Sequence, residues 1–230
     1  MPTDIAVGFD FDHTLGLDNK LERTTALDML ADFAKAKGLT YDLAAADAAI
    51  DAVLATYRSG KQSVEIAIGG FFERFAPAGS ATLDEAQRFR DIVVERAPAY
   101  VTPVDGALAM LQSLDSAGIR YAILTNGWSP LQEEKARIIS FNGSVYVSER
   151  IGALKPSARA FGMLVEHFEL PAERIYYVGD DPETDCAGAA AAGLVPVWFD
   201  WESRSYGAGL AAPAHTIHAL ADLPGLLQGP

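Results

Sequence analysis

The chain has 230 residues, of which 50% are hydrophobic and 21% are charged, and 31 acidic residues against 18 basic ones give it a formal net charge of −13. This length and composition predict a folded chain, either one large domain or a core with an insertion, and argue against disorder. The acidity and the absence of any Lys/Arg cluster exclude nucleic acid and anionic membrane surfaces as expected partners.

The cysteine content and the first residues of the chain indicate the cellular compartment in which the protein is expected. A single cysteine, Cys186, excludes an intramolecular disulfide, and no Cys/His spacing is typical of a zinc site. The first residues lack the basic and apolar stretches of a secretory signal, and no apolar run approaches the roughly 20 residues that a membrane span needs. We therefore expect a cytoplasmic protein that has no membrane partner.

The apolar run at residues 5–9 predicts a strand buried on both faces, and it leads directly into two acids, Asp10 and Asp12. Three later apolar runs are each preceded by a helical pattern, at residues 121–124, 174–178 and 195–199. This alternation predicts an α/β fold in which helices cover both faces of a parallel sheet. Ligands of such sheets bind beyond the carboxyl ends of the strands.

The segment at residues 16–102 shows only helical periodicity, with Leu27, Leu30 and Phe33 on one helix face and Gly38 as a C-cap. About four helices are expected there, forming a small helical domain inserted into the α/β core. The predicted division is therefore a core of residues 1–15 and 103–230 and an insertion of residues 16–102.

A further helix is predicted directly after residues 125–127. Ser129 would be its N-cap, Pro130 would fill its first position, and Gln132 would complete a capping box with Ser129. Gln132 is thereby assigned to holding the start of this helix.

Polar residues collect at three predicted strand ends and on one loop. They are Asp10, Asp12, Thr125, Asn126, Lys155, Asp180, Asp181 and Asp185. Carboxylates this close cannot all ionise without a compensating cation, and oxygen ligands without His or Cys favour Mg²⁺. Lys155, Thr125 and the backbone N–H of Asn126 add the donors that a phosphoryl group needs. An aspartate facing the phosphorus in line can attack it and form an aspartyl-phosphate.

Four segments carry these residues in order along the chain. They are Asp10-Phe11-Asp12-His13-Thr14, Thr125-Asn126-Gly127, Lys155-Pro156 and Gly179-Asp180-Asp181-Pro182-Glu183-Thr184-Asp185. Together they resemble the four motifs of the haloacid dehalogenase (HAD) superfamily, in its phosphatase form. The resemblance implies a Rossmann-like, doubly wound core with a helical cap domain inserted between the first two motifs, acting as a lid over the site and as the source of specificity.

The resemblance also implies a role for each residue. Asp10 would be the nucleophile and a Mg²⁺ ligand, and Asp12 would be the general acid and base while its backbone carbonyl binds the metal. Asp180 would be the third protein ligand of Mg²⁺. The phosphoryl oxygens would be held by Thr125, Asn126 and Lys155. Asp181 or Asp185 would support Lys155 or the metal-bound waters.

The leading interpretation is thus a Mg²⁺-dependent phosphatase for a small phosphorylated metabolite. A phosphomutase would use the same Asp10 chemistry, whereas dehalogenases of the family, which attack carbon, lack an acid at the position of Asp12. A signalling receiver domain is disfavoured, because such domains have their acids and lysine in another order along the chain. A nucleotide-binding dehydrogenase is disfavoured as well, because it would need a Gly-rich turn after the first strand. A non-catalytic binding protein on the same fold stays open. His13 is expected to be a turn residue rather than a base. The substrate and the choice between monomer and homodimer stay open.

Overall fold

A computed structural model of the chain describes residues 4–75 and 82–228, except for the side chains of residues 82 and 83. The chain divides into two compact units. One contains Met1–Leu17 and Val101–Pro230, and the other is Asp18–Tyr100. The junctions thus lie after Leu17 and after Tyr100, two residues away from the boundaries at 15/16 and 102/103 that the sequence patterns suggested.

The first unit is built on a parallel six-stranded sheet with the order β5-β4-β1-β6-β7-β8. Its strands are β1 (Ala6–Phe9), β4 (Arg120–Thr125), β5 (Ser144–Val147), β6 (Ile175–Gly179), β7 (Val195–Phe199) and β8 (His215–Ile217). Two short strands, β2 (Gly16–Leu17) and β3 (Thr102–Pro103), form a separate antiparallel pair. The predicted α/β fold with a parallel sheet is confirmed.

Strand β1 lies in the interior of the sheet, with β4 on one side and β6 on the other. Phe9 is in register with Ile123 of β4 and with Val178 of β6, and all three are buried. Because both faces of a parallel sheet are covered, its inner strands are apolar throughout, which is why they were visible in the sequence.

Two edge strands were not predicted. Strand β5 is partly exposed over most of its length, and β8 begins with the exposed residues His215 and Thr216. Neither segment contains an apolar run of the kind that marks a fully buried strand. The two strands that were not predicted lie at the edges of the sheet, and its central strands are the predicted ones.

The helices of this unit are α5 (Ala107–Ala117), α6 (Leu131–Ile138), α7 (Ser148–Ile151), α8 (Ala158–Phe168), α9 (Gly188–Ala191) and α10 (Leu223–Leu227). Helix α8 shows how they attach to the sheet: Ser157 caps its first turn, and an apolar stripe that includes Phe161 and Leu164 packs in one cluster with Leu124 and Tyr177. Burial of this stripe fixes the loop that precedes α8, which carries Lys155.

The start of α6 differs from the prediction. The helix begins at Leu131, and no side chain caps it. Instead, the Ser129 N–H donates to Glu149 Oε2 at 2.9 Å, and the Gln132 side chain donates to Asp12 Oδ2 at 3.0 Å. The capping-box interpretation was wrong because each partner has a tertiary contact that the local pattern does not reveal.

The second unit contains four helices among its described residues: α1 (Leu21–Lys37), α2 (Leu43–Arg58), α3 (Val64–Phe75) and α4 (Thr82–Tyr100). Asp42 caps α2 by accepting from the Ala45 N–H at 3.0 Å, and Gly38, predicted as a C-cap, ends α1 in the left-handed conformation. The buried Glu22 of α1 accepts hydrogen bonds from Tyr57 and Arg58 of α2.

In the described part of the chain, no helix is both long enough and apolar enough to cross a membrane.

Candidate active site

Asp10 and Lys155 form a buried ion pair at the carboxyl end of β1. The Asp10 N–H continues the pairing with β6 by donating to Val178 O at 2.9 Å, which places its side chain just beyond the strand. Lys155 Nζ donates to Asp10 Oδ1 at 2.7 Å and to Asp185 Oδ1 at 2.6 Å. Burial alone would lower the pKa of Lys155, but attraction to the two carboxylates outweighs it and holds that pKa well above its usual range.

The backbone of Lys155 is held by the side chain of Asn126. Asn126 Nδ2 donates to Lys155 O at 3.0 Å, and the Lys155 N–H donates to Asn126 Oδ1 at 2.9 Å. Asn126 follows β4, so its amide links the end of that strand to the lysine loop. Asn126 was predicted to bind phosphate, but both polar atoms of its side chain are hydrogen-bonded to the Lys155 backbone. A ligand would therefore have to bind the backbone N–H of Asn126.

Three carboxylates come together beside this pair. Asp10, Asp180 and Asp185 each offer an oxygen, and these oxygens lie within 4.8 Å of one another. Burial and repulsion by Asp10 raise the pKa of Asp180 to about 6, although Arg204 opposes the shift. Burial also raises the pKa of Asp185 to about 7, as repulsion by Asp10 adds to it and Lys155 counteracts it. Such shifts mark a place where negative charge is crowded.

Asp180 has a cationic partner that the sequence did not point to. Arg204 Nη2 donates to Asp180 Oδ2 at 2.9 Å and to Asp180 O at 2.7 Å, and Trp198 Nε1 donates to the same carbonyl at 3.1 Å. Arg204 lies after β7 in a segment without periodicity or motif, so no signal in the sequence identified it.

Asp181 and Asp185, which the sequence could not tell apart, have different positions. Asp181 Oδ1 accepts from the N–H groups of Glu183 and Thr184 at 2.9 and 2.7 Å, capping a π-helical turn at Pro182–Ala187. Asp185 is buried against Lys155 and packs so close to the backbone of Gly179 that a Cβ there would lie 2.3 Å from Asp185 Oδ2. Asp185 supports the lysine, and Asp181 supports the turn.

The Asp12 side chain contacts α6. Its Oδ2 accepts from Gln132 Nε2 at 3.0 Å and its Oδ1 accepts from Lys135 Nζ at 2.8 Å. The Lys135 side chain is only 1% exposed, whereas that of Asp12 is 31% exposed. Lys135 was missed because the α6 sequence is rich in charge, and its pattern does not show that Lys135 rather than Arg137 is buried.

The last two candidates are Thr125, at the end of β4, and His13, in the turn that follows β1. Thr125 ends β4 and is buried at the same edge of the sheet as Asp10. His13 is exposed, has a φ of 63°, and donates its N–H to Gly16 O at 2.8 Å in the turn after β1. The structure thus places His13 in a tight turn, as expected, and Thr125 at the carboxyl end of the strand next to β1.

Comparison with known proteins identifies the family to which the chain is similar. Residues 6–193 match the family described as haloacid dehalogenase-like hydrolase. The chain is 30% identical to a phosphoserine phosphatase of Thermus thermophilus, over 87% of this chain and 83% of that protein. It is 28% identical to a ribulose-1,5-bisphosphate 5-phosphatase of Halopiger xanaduensis, over 97% and 99% of the two chains.

Solved structures show the same fold. The magnesium-bound HAD hydrolase YfnB of Bacillus subtilis superimposes with a TM-score of 0.71 at 22% identity, covering 97% of this chain and 98% of that one. A 2-haloacid dehalogenase of Pseudomonas syringae gives a TM-score of 0.72 at 22% identity, covering 99% of both chains. The match over most of its length shows that the chain is a hydrolase and belongs to the haloacid dehalogenase-like family.

Proposed function

We propose that the protein hydrolyses the phosphomonoester of a small metabolite through an aspartyl-phosphate on Asp10, with Mg²⁺ as cofactor. The observation that carries the proposal is the buried contact of 2.7 Å between Asp10 and Lys155 inside a cluster of carboxylates. A nucleophilic carboxylate beside a fixed ammonium suits a phosphoryl group, whose transfer depends on positioning and charge neutralisation.

The residues fit a magnesium ion. Among the described residues, Oδ2 of Asp10 and Oδ1 of Asp180 accept no hydrogen bond, whereas both oxygens of Asp185 are engaged, by Lys155 and by the Asp181 N–H. The three carboxylates face two cations, Lys155 and Arg204, which leaves the cluster with an excess of negative charge. Mg²⁺ takes one or two carboxylates and keeps several waters. Asp10, Asp180 and the Asp12 carbonyl would hold it, and Asp185 would hold Lys155.

When bound, Mg²⁺ would neutralise the phosphoryl oxygens and so stabilise the charge of the transition state. The chain's own groups complete the site. Lys155 pairs with another phosphoryl oxygen, and Thr125, whose hydroxyl has no hydrogen bond to the described residues, donates to a third. Asp10 attacks the phosphorus as the ester bond breaks.

Asp12 moves the proton in both halves of the reaction. It gives a proton to the departing alcohol oxygen, and it then takes one from the water that attacks the aspartyl-phosphate, which restores the Asp10 carboxylate. An acid at this position also supports phosphate chemistry over dehalogenation, since the resemblance noted above associates dehalogenases with its absence.

The substrate class rests on the relatives. The phosphatases that match over most of this chain are named for phosphoserine and ribulose-1,5-bisphosphate, both small and anionic. We propose a substrate of the same class, a small phosphorylated metabolite. A panel of such metabolites at fixed Mg²⁺, scored by released phosphate, would identify it.

The test uses an aryl phosphate and the variant Asp10→Asn. We expect the wild-type chain to release phosphate with Mg²⁺ and to lose that activity with EDTA, and Asp10→Asn to be inactive. Asp105→Asn, a change at an exposed aspartate, is the matched control and should keep wild-type activity. Wild-type rates in Asp10→Asn would refute the mechanism. Halide release from a 2-haloacid by the wild-type chain, without phosphate release from esters, would favour a dehalogenase.

A further inference from the structure

The Asp12 carboxylate is held by two donors from one helix. Gln132 and Lys135 lie three residues apart on α6, so they share a face, and each donates to a different oxygen of Asp12. Two donors on two oxygens fix the plane of a carboxylate, whereas one donor would leave it free to rotate. The carboxylate still has solvent access, as its 31% exposure shows.

The stability of α6 does not require this arrangement. The buried face of the helix consists of Leu131, Gln132, Lys135 and Ala136, so two of its four positions are polar. A lysine with a 1% exposed side chain is costly unless it is paired. In addition, Gln132 Oε1 is buried without a partner among the described residues while its amide nitrogen donates to Asp12. An unpaired buried acceptor weakens a fold, so the contact serves something other than stability.

Gly127 makes room for Gln132. A Cβ at position 127 would lie 2.6 Å from Gln132 Nε2, closer than side chains tolerate. The loop between β4 and α6 therefore has two positioning contacts: Asn126 binds the backbone of Lys155, and Gly127 allows Gln132 to reach Asp12.

We propose that Gln132 and Lys135 are positioning residues that orient Asp12 for proton transfer, a role that rests on the function proposed above. In the first step, the bond between phosphorus and the alcohol oxygen breaks as Asp10 forms its bond to phosphorus, and Asp12 supplies the proton to the alcohol. In the second, water attacks the phosphorus as the bond between phosphorus and the Asp10 oxygen breaks, Asp12 takes the proton from the water, and inorganic phosphate leaves with the Asp10 carboxylate restored.

The two steps respond differently to the leaving group, which gives the test. A p-nitrophenolate departs without a proton, so only the second step of p-nitrophenyl phosphate turnover depends on Asp12. A simple alkyl phosphate depends on Asp12 in both steps. Lys135→Met and Gln132→Met keep side-chain volume and remove one donor each.

For both variants we expect the first turnover of p-nitrophenyl phosphate to stay close to the wild-type rate. Steady-state turnover should fall about 100-fold, the scale of general acid–base catalysis. A burst of nitrophenol and a phosphorylated enzyme, detected by intact-protein mass after acid quench, should appear. With the alkyl phosphate the first turnover itself should fall by a similar factor.

The matched control is Arg137→Met, which removes a cation from the exposed side of the same helix, where Arg137 pairs with Glu134. Arg137→Met should show no burst of nitrophenol and no loss of turnover rate with either substrate. If Lys135→Met does not fold, Gln132→Met makes the same comparison. Equal losses in the first turnover of both substrates, or wild-type kinetics in both variants, would overturn the positioning role.

Failure of the proposed function gives a different result. A wild-type chain that neither releases phosphate nor becomes phosphorylated would refute that function. A wild-type chain that does both, with variants that lack the leaving-group effect, would refute only the role of Gln132 and Lys135.

Discussion

Asn126 and Lys155 are joined by two hydrogen bonds in opposite directions, each between the side chain of the first and the backbone of the second. Asn126→Ala removes both and leaves the lysine loop free to shift. Because small displacements of a catalytic group can cost about 100-fold, we expect kcat/KM for an aryl phosphate to fall by that order. Steady-state kinetics measure it, with Asn142→Ala, at an exposed loop position, as the control. An unchanged kcat/KM would show that the two hydrogen bonds between Asn126 and Lys155 have no effect on catalysis.

We expect Lys155 to contribute to the stability of the fold as well as to the proposed chemistry. Lys155→Met would leave the buried carboxylates of Asp10 and Asp185 without their shared cation. Removing one partner of a buried ion pair typically costs about 3–5 kcal/mol, so the free energy of unfolding in urea should fall by that amount. The double variant Lys155→Met/Asp185→Asn removes one of the two carboxylates and should recover part of the loss. No recovery would mean that the charge of Asp185 is not the cause.

Gly179 is expected to tolerate no side chain. A Cβ at this position would lie within 2.5 Å of three atoms of the buried Asp185, so Gly179→Ala must displace Asp185 or the strand end. Overpacking of this kind costs about 1–3 kcal/mol, and displacement of Asp185 should also lower kcat.

Gly162 provides the matched control for that variant. It lies inside α8, and a Cβ there would meet nothing within 4 Å. Gly162→Ala should therefore stabilise the protein by about 0.5–1 kcal/mol and leave kcat unchanged. Urea denaturation measures the change in the free energy of unfolding, which should be a decrease for Gly179→Ala and an increase for Gly162→Ala. An increase for Gly179→Ala would contradict the crowding around Asp185.

His167 should contribute a pH dependence of stability away from the site. Burial, and secondarily the charge of Arg120, lowers its pKa below 6.5. The folded chain thus binds fewer protons at His167 than the unfolded chain, and stability is lost as the pH falls from 6.5 towards the lowered pKa.

His167→Phe keeps a ring against Tyr146 and Phe168 and removes the titration. The melting temperature of wild type relative to this variant should decline as the pH is lowered from about 8 to about 5. Thermal melts across that range provide the measurement, and a difference that is constant with pH would contradict the lowered pKa.

The central part of the site was accessible to sequence reasoning because it follows a rule of parallel sheets. Asp10 and Asp180 directly follow apolar strands, Thr125 is the last residue of one, and the carboxyl ends of parallel strands meet at one edge. The structure brings their side chains to that edge, and the loop before α8 adds Lys155. The order of strands was not needed to infer that these residues meet.

The contacts around that centre were not accessible in the same way. Gln132 had a satisfactory local role in a capping box, and only the fold shows that it reaches Asp12 instead. Lys135 is one of several charged residues on α6, and Arg204 lies in a segment without regular structure. Which charged side chain is buried depends on the neighbours that the fold supplies, and local patterns carry no information about them.

The interior position of β1 determines when the site can form during synthesis. Val7 pairs with Tyr121 on one side and with Tyr176 on the other, so β1 is synthesised well before the two strands that flank it. Contacts between residues so far apart in the sequence form late, because the entropy lost in closing a long loop is not offset until the strands pair. Asp10 is thus made well before the residues that complete its surroundings. Nascent chains that end before β6 lack Asp180 and Asp185, so they carry Asp10, the proposed nucleophile, without the two carboxylates that lie beside it.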